Sequence, residues 1–208
     1  MLGRECGQKK ETNMAKQQLL ELIRQGTNAW NTWRQQPPSE EPDLHEEDLS
    51  QSHLCGANLS RVNLSGATMS GANLSKADPS WSNLIGEDLR KADASEANLT
   101  SADLSGADAM EAKFTRANFT NAVLIDTNFI NADLSEANFA GADLTGAYLK
   151  EANLRGASSS SSVSQPEKRF IDPMRGNTTL LEVPPLRHEG ERNERSRGQW
   201  RISRRSNS

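Results

Sequence analysis

Residues 131–154 read NADLSEANFAGADLTGAYLKEANL, in which alanine returns at every fifth position: Ala132, Ala137, Ala142, Ala147 and Ala152. Two residues after each alanine stands a large apolar residue: Leu134, Phe139, Leu144, Leu149 and Leu154. The register extends back to Leu44. Its 23 central positions hold 15 Leu, 4 Phe and one Met, with exceptions at Pro79, Ala94 and Ala109. Alanine fills 16 of the 23 positions two residues earlier, and the position between is mostly Asp or Asn. Such regularity is an internal repeat, and it decides the fold class.

Neither standard element carries this period. On an α-helix a step of five advances the side chain by about 140° net, so the apolar positions would spiral around the whole surface. On a strand a step of five changes face each time. A coil that turns a corner every five residues satisfies the pattern: each short segment points its central Leu or Phe, and the Ala two before it, inward. Stacked coils then share backbone hydrogen bonds along the long axis. Four sides per coil place residue n under n+20, and a rung spacing of about 4.8 Å makes a rod roughly 28 Å tall.

The repeats ANLSRVNLSGATMSGANL and TRANFTNAVLIDTNF resemble those of the pentapeptide-repeat family, whose consensus is A(D/N)LxX. The resemblance covers 42–157. It implies an all-β fold, a right-handed quadrilateral parallel β-helix; the handedness and the square section come from the family and not from the spacing alone.

The exceptions test the four-sided map. Ala109 lies between Leu89 and Phe129, and Ala94 lies under Phe114, so each small residue has a Phe one coil above that could fill its gap. Phe119 and Phe139 fall in one column, where they are expected to stack. Pro79 lacks a donor for its rung. Glu87 occupies an alanine position, where a charged carboxylate would be buried. The coil containing DPSWSNLIGEDL, 78–89, is therefore expected to be irregular or bulged.

A solenoid needs its ends covered. Leu19, Leu22, Ile23, Gly26, Trp30 and Trp33 follow helical spacing up to Pro37–Pro38, so 14–36 is expected to be an amphipathic capping helix. Only Lys16, Arg24 and Arg34 are basic on its polar face, which disfavours a membrane-surface role. The leader LLELIRQGTNAWNTWR is similar to that of many bacterial pentapeptide-repeat proteins, which implies Met14 as the start and makes 1–13 a disordered extension. Beyond Ala157 the register ends in SSSSSVSQ, and 158–208, rich in Ser and Arg, is expected to be disordered. The last coil is then covered by 163–186, by a second copy in an end-to-end homodimer, or not at all.

Charge divides the chain. Residues 1–41 carry 6 basic and 5 acidic groups, 42–157 carry 8 and 17, and 158–208 carry 10 and 6. A phosphate-tracking protein concentrates Lys and Arg on its folded part, so direct nucleic-acid binding by the solenoid is not expected. No apolar run approaches the roughly 20 residues of a membrane span, and residues 1–18 lack the apolar stretch of a secretory signal; the expected location is the cytoplasm, with no membrane partner.

Chemistry finds no foothold. Cys6 and Cys55 fit neither a disulfide framework nor a zinc site, and His45, His53 and His188 do not cluster with them. His53 and Cys55 flank the inward Leu54 and should face outward. The recurrent Asp and Asn before each central position suit hydrogen bonding near the corners. No phosphate-binding loop precedes a helix. No catalytic residue, metal site or cofactor is expected, and the chain reads as a non-enzymatic scaffold whose rigid surface binds a protein partner. The alternative implied by the family is an acidic, DNA-mimicking rod that binds or inhibits a type II topoisomerase such as gyrase. Against it, 9 of the 17 acids in 42–157 are the Asp residues before the central position, and the remaining 8 are matched by 8 bases.

Overall fold

The computed structural model describes residues 16–35 and 41–159, together with the backbone of three short strands further on. Parallel bridges join residues twenty apart, from Asp43↔Asn63 through Asn138↔Ser158, so each coil has four sides of five residues. We call the sides A to D, after the inward columns that begin at Leu44, Leu49, Leu54 and Leu59.

Within a repeat, positions are numbered from the central residue (0). Four of the five backbone amides have acceptors set by the coil itself. In the third side of the first coil, the position 0 amide of Leu54 donates to Asn73 O at 2.8 Å, and the +2 amide of Gly56 to Ser75 O at 2.9 Å. One coil up, the −1 amide of Asn73 donates back to Ser52 O at 2.9 Å, while the −2 amide of Ala57 closes the corner on Leu54 O at 2.9 Å. That corner bond demands a positive φ at +2, as in a type II turn. All 23 residues at this position, from Glu46 to Gly156, have positive φ, and 15 of them are not glycine. A non-glycine residue there is strained by about 1 kcal/mol or more, a strain the stacked coils absorb.

The interior is the two inward columns of each side. Leu44, Leu54, Leu64, Leu104, Leu124 and Leu134 are fully buried, as are most of the alanines. The aromatic column forms as the repeat map requires: Phe119 and Phe139 stack at 5.1 Å and 3°. Phe114 and Phe129 join them, 5.7 Å apart and edge-on to each other.

The leader departs from a single helix over 14–36. Helix α1 covers 16–24 of the described residues and α2 covers Thr27–Arg34. The break is at Gly26, which adopts φ 105°, a conformation open to glycine but not to a helix interior. Both halves cover the first coil. Trp30 is fully buried and packs 5.0 Å from Trp33. Polar side chains supply the donors that a preceding coil would otherwise provide: Lys16 to His45 O, Thr27 to His53 O, Trp30 Nε1 to Asn58 O and Arg34 to Ser60 O. Asn31 Oδ1 accepts the outward Asn58 amide at 2.8 Å. The cap thus seals apolar surface and completes the hydrogen-bond ladder together.

At the other end Leu149, Ala152 and Leu154 are only half-buried. The extension 1–13, the stop at Pro37–Pro38 and most of 163–186 lie outside the described residues. So does most of the tail 158–208. Within it the backbone of three short strands is described. Strand β1 (Arg169–Ile171) pairs antiparallel with β2 (Thr178–Glu182), and β2 with β3 (Arg201–Ile202). These are the tail's Phe, Ile, Thr and Leu clusters, residue types that favour strands.

The coil 78–89 is not bulged, which corrects the expectation of an irregular path; Trp81 and Gly86 keep the same corner φ as every other repeat. The defect is confined to bonds and packing. Pro79 has no amide to give, so the Asp78–Asn98 bridge is missing, and below it the Leu59 amide turns to Ala57 O at 3.1 Å. Compensation by Phe114 is also incomplete: an apolar void of about 10 Å³, lined by Leu59, Met69, Pro79, Leu84, Ala94 and Phe114 among others, remains. It barely reaches the volume of one water and offers no polar partner to hold it.

Glu87 lies in the same coil, fully buried, with neither carboxyl oxygen hydrogen-bonded. Burial, aided by the adjacent Asp88 charge, pushes its carboxyl well above the ordinary value of 4.5. The folded state therefore holds it neutral. Its sign is opposite to that of a paired carboxylate: stability is full below the ordinary carboxylate pKa and declines as pH rises from there toward the folded-state value.

Two measurements follow from this coil. Glu87→Ala, which restores the residue present above and below at Ala107 and Ala67, should stabilise the protein at pH 8 by about 1–3 kcal/mol. The gain should shrink toward pH 4, and a gain independent of pH would contradict a buried neutral acid. Pro79→Leu, which restores a rung and fills the void, should raise stability by about 1 kcal/mol in thermal or urea unfolding.

Candidate interaction surface

The fifth amide of each repeat, at +1, is reached by neither the corner nor a neighbouring coil. Its acceptor is the side chain at −1. At all 18 repeats with Asp or Asn there, from Asp43 to Asn153, the Oδ1 atom accepts this amide. This is an Asx-turn built into every side. The corner role expected of these residues is observed, and the acidic surplus that tempts a reading as DNA mimicry is in large part a set of backbone acceptors. Bonding by Ser50 holds Asp48 below the usual carboxylate range, and bonding by Arg90 does the same for Asp88.

The residues considered for chemistry are placed apart. His45 Nδ1 meets Asp43 Oδ1 at 2.8 Å, an exposed contact within one repeat. His53 and Cys55 are exposed on either side of buried Leu54, as the register requires. His188 and Cys6 lie outside the described residues. Among the described residues no cluster of His, Cys, Asp or Glu could hold a metal ion, and no helix is long and apolar enough to cross a membrane.

The four sides differ outside as they do not inside. Side C and its two corners carry Lys76, Lys91, Lys113, Arg116 and Arg155, interleaved with acids at the n+20 spacing. Lys91 and Glu111 approach to 3.8 Å, and Arg116 and Glu136 to 3.0 Å. Exposed pairs of this kind add little stability each, but they leave that surface balanced. Side D is uncharged over much of its length, with Asn98, Asn118 and Asn138 laddered through Thr100 and Thr120.

Side A, opposite side C, is unlike both. Arg61 is the sole Lys or Arg among the described residues on this side and its corners, against Asp43, Glu46, Asp103, Asp126 and Asp143. It also carries apolar groups outward. Trp81, at the corner where side D meets side A, is 62% exposed, and Ile85 across the same side is 44% exposed. Two coils up, Val123 and Ile125 are half-buried on the same face. Trp81 holds φ 61°, a conformation rare for a bulky residue. A large aromatic displayed on a rigid frame is the type of group that dominates protein interfaces. The register alone places Trp81 at +2 and Ile85 at +1, both outward, so the signal is present in the sequence.

Comparison with known proteins agrees with the geometry. The sequence profile described as Pentapeptide repeats matches in 8 copies, over residues 43–78, 80–116 and 117–156. No match was found among curated proteins. Among solved structures, the chain is similar to HetL, a pentapeptide repeat protein involved in heterocyst differentiation regulation from the cyanobacterium Nostoc sp. strain PCC 7120. The identity is 36% and the TM-score 0.49, over 56% of this chain and 63% of HetL; the chain thus spans less than two thirds of HetL. It is similar also to AT2G44920, a pentapeptide repeat protein of the Arabidopsis thaliana thylakoid lumen, with 27% identity and a TM-score of 0.50 over 60% of this chain and 86% of that one. QnrB1, a plasmid-mediated fluoroquinolone resistance protein, matches at 19% identity and a TM-score of 0.30, over 57% of this chain and 73% of that one. A repeat matched over more than half the chain, on coils that bridge at n+20, makes this chain a member of the pentapeptide-repeat family.

Proposed function

We propose that the protein is a non-enzymatic scaffold of the cytoplasm, a right-handed quadrilateral β-helix whose exterior binds a protein partner. The observation that carries this reading is that Trp81 and Ile85, the exposed large apolar side chains among the described residues, stand on one side of the frame. An exposed aromatic and an exposed aliphatic on the same side of a polar protein mark an interaction site more readily than a structural need. The strained corner beneath Trp81 speaks the same way, since the equivalent positions Ser101 and Gly141 serve the fold without an aromatic.

Charge favours this reading over mimicry of DNA. A duplex surrogate would present acid around the rod, whereas here side C interleaves bases with acids and side D ladders neutral amides. A gyrase supercoiling assay separates the two: the scaffold reading expects no inhibition at micromolar protein, and inhibition would favour mimicry. Capture of partners on immobilised full-length protein should be reduced by Trp81→Ser with Ile85→Ser. Those substitutions install residues the repeat already uses at Ser101 and Ser105. Capture unaffected by the double variant would count against side A as the binding surface.

A further inference from the structure

We propose that the level of Pro79 and Glu87 is a seam dividing the solenoid into two folding units, and that rising pH releases the lower, capped unit while the upper one stays closed. The seam belongs to the frame and holds whatever the exterior binds. In a stacked solenoid each coil contacts only its neighbours, so a partly unfolded state ends at the weakest interface between coils.

The defects collect at one such interface, between residues 62–81 and 82–101. Pro79 has no amide to give to Asn98 O, and the side-chain amide of Asn98, donating to Asp78 Oδ1 at 2.9 Å, is a partial substitute. The rungs from Asn83 to Val62 O and from Asp88 to Ala67 O are 3.1 Å, against 2.9 Å for those of Asp93 and Asn98 in the same interface. The exposed pair of Lys76 and Glu96 across it, at 4.0 Å, adds little. The apolar void lies at this level too, with Met69, Leu74 and Pro79 below it and Leu84, Leu89 and Leu99 above, so both coils forgo packing there. Each side of the seam has a core of its own. Below, Leu54 and Leu64 are buried under a leader that seals the end with Trp30. Above, Phe114, Phe119, Phe129 and Phe139 contact one another.

Glu87 supplies the pH dependence. Its carboxyl is buried at the seam without a hydrogen bond, and its inward column continues as Ala67 below and Ala107 above. Glu47, at the foot of that column, is held by Lys16 at 2.9 Å. Outside on side B, the coil below offers Thr68, Ser70 and Gly71, and the coil above Asp108, Met110 and Glu111. On its own coil Asp88 is a like charge; Arg90 is engaged by Asp88 at 2.7 Å and Lys91 by Glu111 at 3.8 Å. An ionised Glu87 has no partner in the closed rod and meets water when the lower unit leaves. Closure is therefore favoured below the ordinary carboxylate pKa, and opening grows as pH rises from there toward the raised folded-state value. Trp81 ends the lower unit and Ile85 belongs to the upper one, so the exposed pair on side A is intact only while the seam is closed.

The test is hydrogen exchange of the full-length protein between pH 5 and pH 8, expressed as protection relative to the unfolded chain at each pH. At pH 8 the amides of Leu54, Leu64 and Asn73, all bonded to neighbouring coils, should be less protected than those of Leu104 and Phe114, by about tenfold or more. The step should fall within 82–101. Protection of the lower amides should drop by about tenfold or more over that pH range, and by no more than about tenfold per pH unit, the limit for one released proton. Glu87→Ala and Glu87→Gln should each abolish this pH dependence. One common protection on both sides of the seam, or a step placed elsewhere, overturns the division into two units. A pH dependence that survives both substitutions overturns the role of Glu87.

Discussion

Apart from the repeat of Pro79, each repeat presents five backbone amides, and the fold depends on acceptors for nearly all of them. Three are met by the coils above and below, one by the corner, and the last, in 18 of the 23 repeats, by an Asp or Asn one position before the central residue. The −2/0 pair of inward residues defines the core. It does not by itself close the backbone. A square coil of five-residue sides leaves the +1 amide facing a corner where no carbonyl reaches, and a short side chain with an sp² oxygen fits that gap. This accounts for much of the acidity of 42–157, where nine Asp residues accept a +1 amide. The bonds from Ser50 and Arg90 hold Asp48 and Asp88 below the usual carboxylate range.

Much of this was legible in the sequence because the repeat has one register from end to end. The n+20 map located the Phe119–Phe139 stack, the outward placement of His53 and Cys55, and the missing rung at Pro79. What the map could not supply was the response of the backbone to a local misfit. Pro79 and Glu87 suggested a bulge, yet 23 identical corners outweigh one absent donor, and the misfit is absorbed as a thinner ladder and a small void. The leader failed for another reason. Gly26 falls in phase with the apolar face of a single helix, so periodicity ran through it, whereas its positive φ divides the element in two. Side-chain donors such as Lys16 and Arg34 were legible only as polar-face charges; that they stand in for a missing coil depends on the geometry of the junction.

Identical interiors with different exteriors are what a repeat architecture allows. The inward positions are fixed by packing and the −1 position by the amide, which leaves +1 and +2 open to variation on each side. In this chain they divide the surface: interleaved ion pairs on side C, an amide ladder on side D, and on side A an apolar pair in an acidic setting. Such division needs no change in the fold, since each column is covered by residues that contact only their neighbours one coil away. Recognition of the family accounts for the frame, and the differences between its sides carry what is particular to this protein.

The most direct test of the amide accounting is residue-resolved hydrogen exchange of the full-length protein. In the interior coils, the +1 amides that follow Asp or Asn should be protected alongside the rung amides. The amides of Ser70, Thr115 and Ile125, which follow Thr68, Lys113 and Val123 in place of Asp or Asn, should exchange much faster than their neighbours. If those three are protected as fully as Ser95 or Ser105, the side-chain acceptor is not what closes the repeat, and the account is wrong at its root.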